Sequence, residues 1–247
     1  GCRSGCSSLP HRDMKNDWSP WQPVLNAFWD PAEIVWGSPL CQKDTEIMIA
    51  PSQVQVEGEE RISDGYLKVT RYLIRHEQYD GSWTQTLSRE VMERGEVAAV
   101  LPFDPVRNEV VLIEQFRVGA WSADWAQPWL VECIAGVVEA GETPEEMVKR
   151  EAREEAGCDL TTLEPIAQYF STPGACSEKV DLFCGRVDTT GLGGVHGLAE
   201  EGEDIRATVW PVAEALAMLE TGQICNSMTL IALQWLAGHH ATLAEKW

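Results

Sequence analysis

At 247 residues, 44% of them hydrophobic, the chain is long enough to bury a full core, and one enzymatic domain with an attached N-terminal region is expected. Its 39 acidic against 19 basic side chains leave a formal charge of -20, which argues against nucleic-acid backbones and anionic membrane surfaces, since both are held by Lys/Arg patches. No apolar run approaches the roughly 20 residues that a membrane-spanning helix needs.

In chain order, the first stretch, GCRSGCSSLPHRD, lacks the apolar segment of a signal peptide and reads as a tail, a remnant or translation upstream of Met14. Residues 14–46 interleave Trp18, Trp21, Trp29 and Trp36 with Pro20, Pro23, Pro31 and Pro39, which prevents a long helix. Residues 1–50 are thus an irregular Trp/Pro-rich segment, packing its tryptophans on the main domain or offering them to a partner. From Val54 the pattern turns β-rich. A strand over Tyr66–Arg75, a turn at Asp80-Gly81 and a returning strand over Trp83–Val91 make residues 51–95 a β-hairpin subdomain. Residues 96–247 hold a second hairpin, Val97–Phe103 and Val110–Phe116 around Asp104–Asn108. Short apolar runs follow at Leu130–Ile134, Leu163–Phe170, Val180–Val187 and Ile205–Trp210. Two amphipathic helices, Val212–Glu220 and Met228–His239, close the chain, the first ended by Gly222. The eight cysteines, at 2, 6, 41, 133, 158, 176, 184 and 225, form no CxxC pair or other zinc spacing, and most read as reduced core residues of a cytoplasmic protein.

Between these runs lies GVVEAGETPEEMVKREAREEAGC, Gly136–Cys158. Thr143 can cap a helix, Pro144 suits its first position and Glu146 completes a capping box, while Gly157 can take the left-handed conformation that ends it. The segment is therefore a loop, a helix and a sharp exit. Glu151, Glu154 and Glu155 cluster on one face of that helix beside an apolar stripe of Val148, Ala152 and Ala156. Like charges so placed repel one another and oppose the helix dipole, so something must compensate. By composition alone this is a solvated charged helix. Clustered Glu residues also suit hard divalent cations, which take oxygen ligands and share positions with water and phosphates.

The order Gly136, Glu142, Arg150-Glu151, Glu154-Glu155 and Gly157, with apolar Ala152 and Cys158, resembles the Nudix box at all seven positions of fixed identity. STPGACSEK, Ser171–Lys179, places Pro173 fifteen residues after Cys158, and together with LPFDPVRNEVVLIEQFR, HGLAEEGEDIR and IALQWLAGHH it is similar to the bacterial ADP-ribose pyrophosphatases of the Nudix family. The likeness covers roughly Ser88–Trp247. It implies an α+β Nudix fold, mixed β-sheets sandwiched with helices, and Mg2+-dependent hydrolysis of ADP-ribose to AMP and ribose 5-phosphate, with Mn2+ as a possible substitute.

Carried over position by position, the resemblance makes Glu151, Glu155, Glu203 and the carbonyl of Ala135 metal ligands, and Glu142 with Arg150 a structural pair. Glu201, in the acidic loop Leu198–Asp204, matches the catalytic base, with Glu154 as an assisting carboxylate. Arg89, Glu90, Arg94, Arg117, Val137, Thr172, Pro173, Gly174 and Glu178 are the candidate substrate contacts. A cytoplasmic homodimer is implied, with a small nucleoside diphosphate as partner, no nucleic acid and no membrane. Three alternatives stay open: a Nudix hydrolase for another nucleotide sugar such as GDP-mannose, an ADP-ribose sensor that does not hydrolyse, and a scaffold built on the Trp-rich segment.

Overall fold

The computed structural model describes residue 51, residues 53–199 and residues 202–247. The Trp/Pro-rich segment and Glu201 lie outside the described residues. The architecture is α+β, as the alternation of strand and helix signals led us to expect.

Strands β1 (Val54–Asp64), β2 (Lys68–His76) and β3 (Leu87–Glu93) form an antiparallel sheet in that order. The returning strand starts later than its apolar pattern indicated. Residues 78–82 spend their backbone groups on the turn around Gly81, whose φ is +79°, and only an isolated bridge joins Glu77 to Trp83. Strand β1, unmarked by apolar alternation, is held by charge across strands: Arg71 bonds Glu60 at 2.9 Å, and Arg61 bonds Glu93 at 2.7 Å.

The main sheet is built on β4 (Glu96–Asp104), which is buried from Val97 to its end. Alternation along it feeds two cores. Ala98 and Val100 pack with Met147, Val148, Ala152 and Ala156 of helix α2 (Pro144–Ala156). Ala99, Leu101 and Phe103 pack with Val212 and Ala215 of α3 (Val212–Glu220) and with Ala232, Leu233 and Leu236 of α4 (Ser227–Lys246). A strand covered on both faces reads as a continuous apolar run, which is how this one was written. Its neighbours are β9 (Lys179–Arg186), parallel to it, and β5 (Glu109–Phe116), antiparallel. Outside them lie β8 (Thr162–Phe170) on one side, and β11 (Ile205–Pro211) with β10 (Gly194–His196) on the other.

Strands β4 and β5 pair at only two positions, Phe103–Val110 and Asp104–Glu109, and then part. The predicted single run Leu130–Ile134 is in fact two strands: β6 (Trp129–Glu132) pairs with β5 and β7 (Ile134–Val137) with β4. The break falls at Cys133, whose N–H donates to Thr229 Oγ1 of α4 at 2.8 Å. A short helix, α1 (Val118–Ser122), precedes β6, and α4 continues past His239, because Ala241–Lys246 still favours helix. Cys133, Cys158, Cys176 and Cys184 are buried free thiols, and Cys225 is exposed. Among the described residues no helix is long and apolar enough to cross a membrane.

Asp104 closes the β4–β5 turn from a position 1% exposed. Burial alone would push its carboxyl up. The N–H groups of Thr189 and Arg107, the Arg107 guanidinium and the Thr189 hydroxyl overcome it and hold the group far below the carboxylate range. Asp104→Ala strands these donors and is expected to cost about 3 kcal/mol in urea unfolding at neutral pH. A loss below about 0.5 kcal/mol would mean that water takes over the network.

Candidate active site

The loop-helix-loop expected from Gly136 to Cys158 forms by the local chemistry read from it. Thr143 Oγ1 accepts from Glu146 N–H at 3.2 Å while Glu146 returns a carboxylate to Thr143 N–H at 2.9 Å, Pro144 opens α2, and Gly157 ends it at φ +63°. Gly136 sits on β7 opposite Ala98, and a Cβ there would collide with the Glu151 carboxylate. The glycine is therefore what lets the acidic helix lie against the strand.

Arg150 supplies the compensating charge. Its Nε and Nη2 grip both oxygens of Glu142, at 3.0 and 3.2 Å, and its Nη1 reaches Glu151 at 2.7 Å and Glu154 at 3.1 Å. The guanidinium is held charged more firmly than usual, chiefly by Glu142, and Glu142 is drawn below its ordinary value by the same bonds. Burial raises the Glu151 carboxyl against the pull of Arg150. Glu155 makes no ion pair among the described residues. It is 3% exposed, accepts Ala135 N–H at 3.4 Å, and is pushed up to about 8 by burial and by the neighbouring charges of Glu151 and Glu203.

These carboxylates line a cleft of about 580 Å3. Of the sequence candidates, Ala135, Val137, Arg150, Glu151, Glu154, Glu155 and Glu203 meet there, with Arg94, Arg117 and Glu178. Arg94 stands 3.6 Å from Glu178 and lies under the ring of Tyr66. Glu203 enters from the acidic loop: its carboxylate accepts Leu198 N–H at 3.0 Å, and Gly197 N–H donates to the Glu154 carbonyl at the end of α2.

Arg89, Glu90, Thr172, Pro173 and Gly174 do not line this cleft. Arg89 bonds the Ser88 carbonyl, and Glu90 is gripped by Arg71 on the small sheet. Thr172–Gly174 belong to a turn whose following residues bond β3, Met92 N–H donating to Ala175 and Ser177 N–H to Met92. Tyr66, Glu132 and Asn226 line the cleft and were not singled out from sequence. A glutamate inside the apolar run LVECI was the available signal for Glu132, since a carboxylate in a core strand needs partners. Burial raises Glu132, and Arg117 and Asn226 pull against that rise.

Partly buried, mutually repelling carboxylates beside a backbone carbonyl are a hard-oxygen donor set, and Glu155, raised by burial and by its charged neighbours, fits a divalent cation. Among the described residues no three such groups already converge as a metal site, since Arg150 engages Glu151 and Glu154.

A NUDIX domain is matched over residues 92–224. The chain is 40% identical over 201 residues to the ADP-ribose pyrophosphatase of Escherichia coli (strain K12), covering 81% of this chain and 96% of that one. It is 32% identical over 181 residues to the GDP-mannose pyrophosphatase of Cronobacter sakazakii, covering 72% and 94%. A crystal structure of an ADP compounds hydrolase shares the fold at a TM-score of 0.58 and 20% identity, over 77% of this chain and 98% of that one.

The raised Glu155 makes the metal-free protein pH-sensitive. The folded state holds an extra proton between the ordinary glutamate range and about 8, so this stability is full below that range and lost as pH rises through about 8. Urea unfolding in EDTA should show wild type losing about 2 kcal/mol from pH 6 to 8 relative to Glu155→Gln, at up to about 1.4 kcal/mol per pH unit. Parallel curves would mean that the carboxyl is already ionised at pH 6.

Proposed function

The chain belongs to the NUDIX family, and on that premise we propose that it is an ADP-ribose diphosphatase, hydrolysing ADP-ribose to AMP and ribose 5-phosphate with Mg2+ in the site. The observation that carries this reading is the meeting, in one cleft, of the α2 carboxylates with Arg94 and Arg117. Carboxylates alone would repel a diphosphate, and arginines alone would bind it without activating water.

The carbonyl of Ala135 with Glu151, Glu155 and Glu203 would hold the cation. When bound, it supplies positive charge to the diphosphate oxygens and acidifies water. Arg94 and Arg117 present guanidinium forks that suit phosphate oxygens and orient the anhydride. Glu201 would take the proton of the attacking water, with Glu154 as an assisting carboxylate, and water adds across one P–O bond to release the two monophosphates. Arg150 keeps Glu142 and the helix carboxylates in place.

Similarity to ADP-ribose pyrophosphatases at higher identity than to GDP-mannose pyrophosphatases favours ADP-ribose. The chemistry at phosphorus is the same for both. A homodimer suits the small sheet, whose β1 exposes Val54, Val56 and Ile62, and it would bring Arg89, Glu90 and the Pro173 turn to a shared substrate site. Buried free thiols suit a cytoplasmic setting.

Chromatography of the products from ADP-ribose, GDP-mannose, UDP-glucose and NADH, with Mg2+ and with EDTA, tests the reading. Metal-dependent AMP chiefly from ADP-ribose is expected, and preference for GDP-mannose would move the assignment to that sugar. Glu151→Gln and Glu155→Gln should each lower kcat on the order of 100-fold or more while the protein stays folded, because each removes a ligand charge. Normal turnover in both would remove the metal assignment.

A further inference from the structure

We infer that Glu132, which has no assigned role in the reaction, is the positioning residue that aims Arg117 at the diphosphate. The inference rests on the diphosphatase reading above. Glu132 ends β6 and is 2% exposed, so its carboxylate must find partners within the protein. Arg117 follows β5 directly and donates Nε to Glu132 Oε2 at 2.7 Å, with Nη2 in ion-pair contact with the same oxygen at 2.7 Å. Its Nη1 has no hydrogen bond among the described residues and remains available to a phosphate. The other oxygen, Oε1, accepts Asn226 Nδ2 at 2.7 Å.

Asn226 has no freedom to turn. Its Oδ1 caps α4 by accepting Thr229 N–H at 3.2 Å, so its amide nitrogen must point the other way, at Glu132. Thr229 in turn accepts Cys133 N–H, which returns the chain of bonds to the residue after Glu132. Arg117, the strand junction leading to Ala135 and the start of α4 are thereby one hydrogen-bonded unit. Both groups facing Glu132 are donors, and only a carboxylate has an acceptor oxygen for each. A glutamine there would turn its amide nitrogen on either Arg117 or Asn226.

Positioning and simple charge predict opposite signs. Glu132 places a negative charge beside a site for an anion, so by field alone Glu132→Gln would tighten substrate binding. If Glu132 aims the guanidinium, the same change loosens the fork and weakens binding. Arg117 contacts the diphosphate before and during reaction alike, so the loss should fall on KM rather than kcat.

Steady-state kinetics with Mg2+, on whichever nucleoside diphosphate of the panel the wild type turns over, supply the test. Glu132→Gln is expected to raise KM about tenfold with kcat within about threefold. Adding Asn226→Asp restores complementary donors and acceptors while keeping a helix cap, and should recover most of the lost affinity. In an Arg117→Ala background, Glu132→Gln should add nothing further to KM, which a merely structural role would not predict. Should Glu132→Gln fail to fold, Glu132→Asp, which keeps the charge but shortens the reach, should raise KM in the same way. An unchanged or lowered KM, no recovery in the double variant, or a full effect without Arg117 would each overturn the inference. Turnover of GDP-mannose but not ADP-ribose would overturn the substrate assignment and leave this inference standing; no turnover of any member would overturn both.

Discussion

Arg150 is the counterion that allows a helix bearing carboxylates at 151, 154 and 155 to lie on a buried strand. Three glutamates share it, while Glu155 has no ion pair among the described residues and is pushed up to about 8 by burial first and by its charged neighbours second. Gly136 provides the space and Arg150 the charge for the same side chain, Glu151, from opposite directions. Remove either and the helix cannot keep its distance from β7, so the position of the α2 carboxylates in the cleft follows from this pair.

Around that contact the sheet divides labour by parity. Alternate residues of β4 face α2 on one side and α3 with α4 on the other, so α2 and the C-terminal helices share a strand without touching the same side chains. The separation of β4 from β5 opens the sheet where β6 and β7 enter, and the cleft is lined from that junction. The backbone carbonyl of Ala135 and the α2 carboxylates thus come from a strand and a helix, while Arg94, Glu178 and Glu203 enter the cleft from connecting segments.

Legibility from sequence followed the range of the interactions. Thr143, Pro144, Glu146 and Gly157 announce α2 because caps are local chemistry, and the box spacing brought Glu142, Arg150, Glu151, Glu154 and Glu155 into view together. The helix Val212–Glu220 was read to its bounds from its amphipathic pattern, although no side chain caps its start. The break at Cys133 was not readable, because the hydroxyl that accepts its N–H lies 96 residues away on α4. Strand β1 escaped because VQVEGEERISD presents charges where an apolar face would be, and its order comes from partners on β2 and β3. The Glu132–Arg117 contact likewise needs the β5–β6 pairing before either residue explains the other. Arg89 and Glu90, carried over by motif, carry no signal of which face of a sheet they occupy.

The buried thiols have a use beyond packing. Burial pushes Cys133, Cys158 and Cys184 up to about 12, so each stays protonated and poorly nucleophilic while the fold is closed. Cys133 marks the strand junction, Cys158 the exit from the box helix and Cys184 the middle of β9. Each thiol therefore acts as a silent gauge: an alkylating probe can reach it only when its own piece of the molecule opens, and three separate labelling rates would rank the junction, the helix end and the central sheet by how often each comes apart.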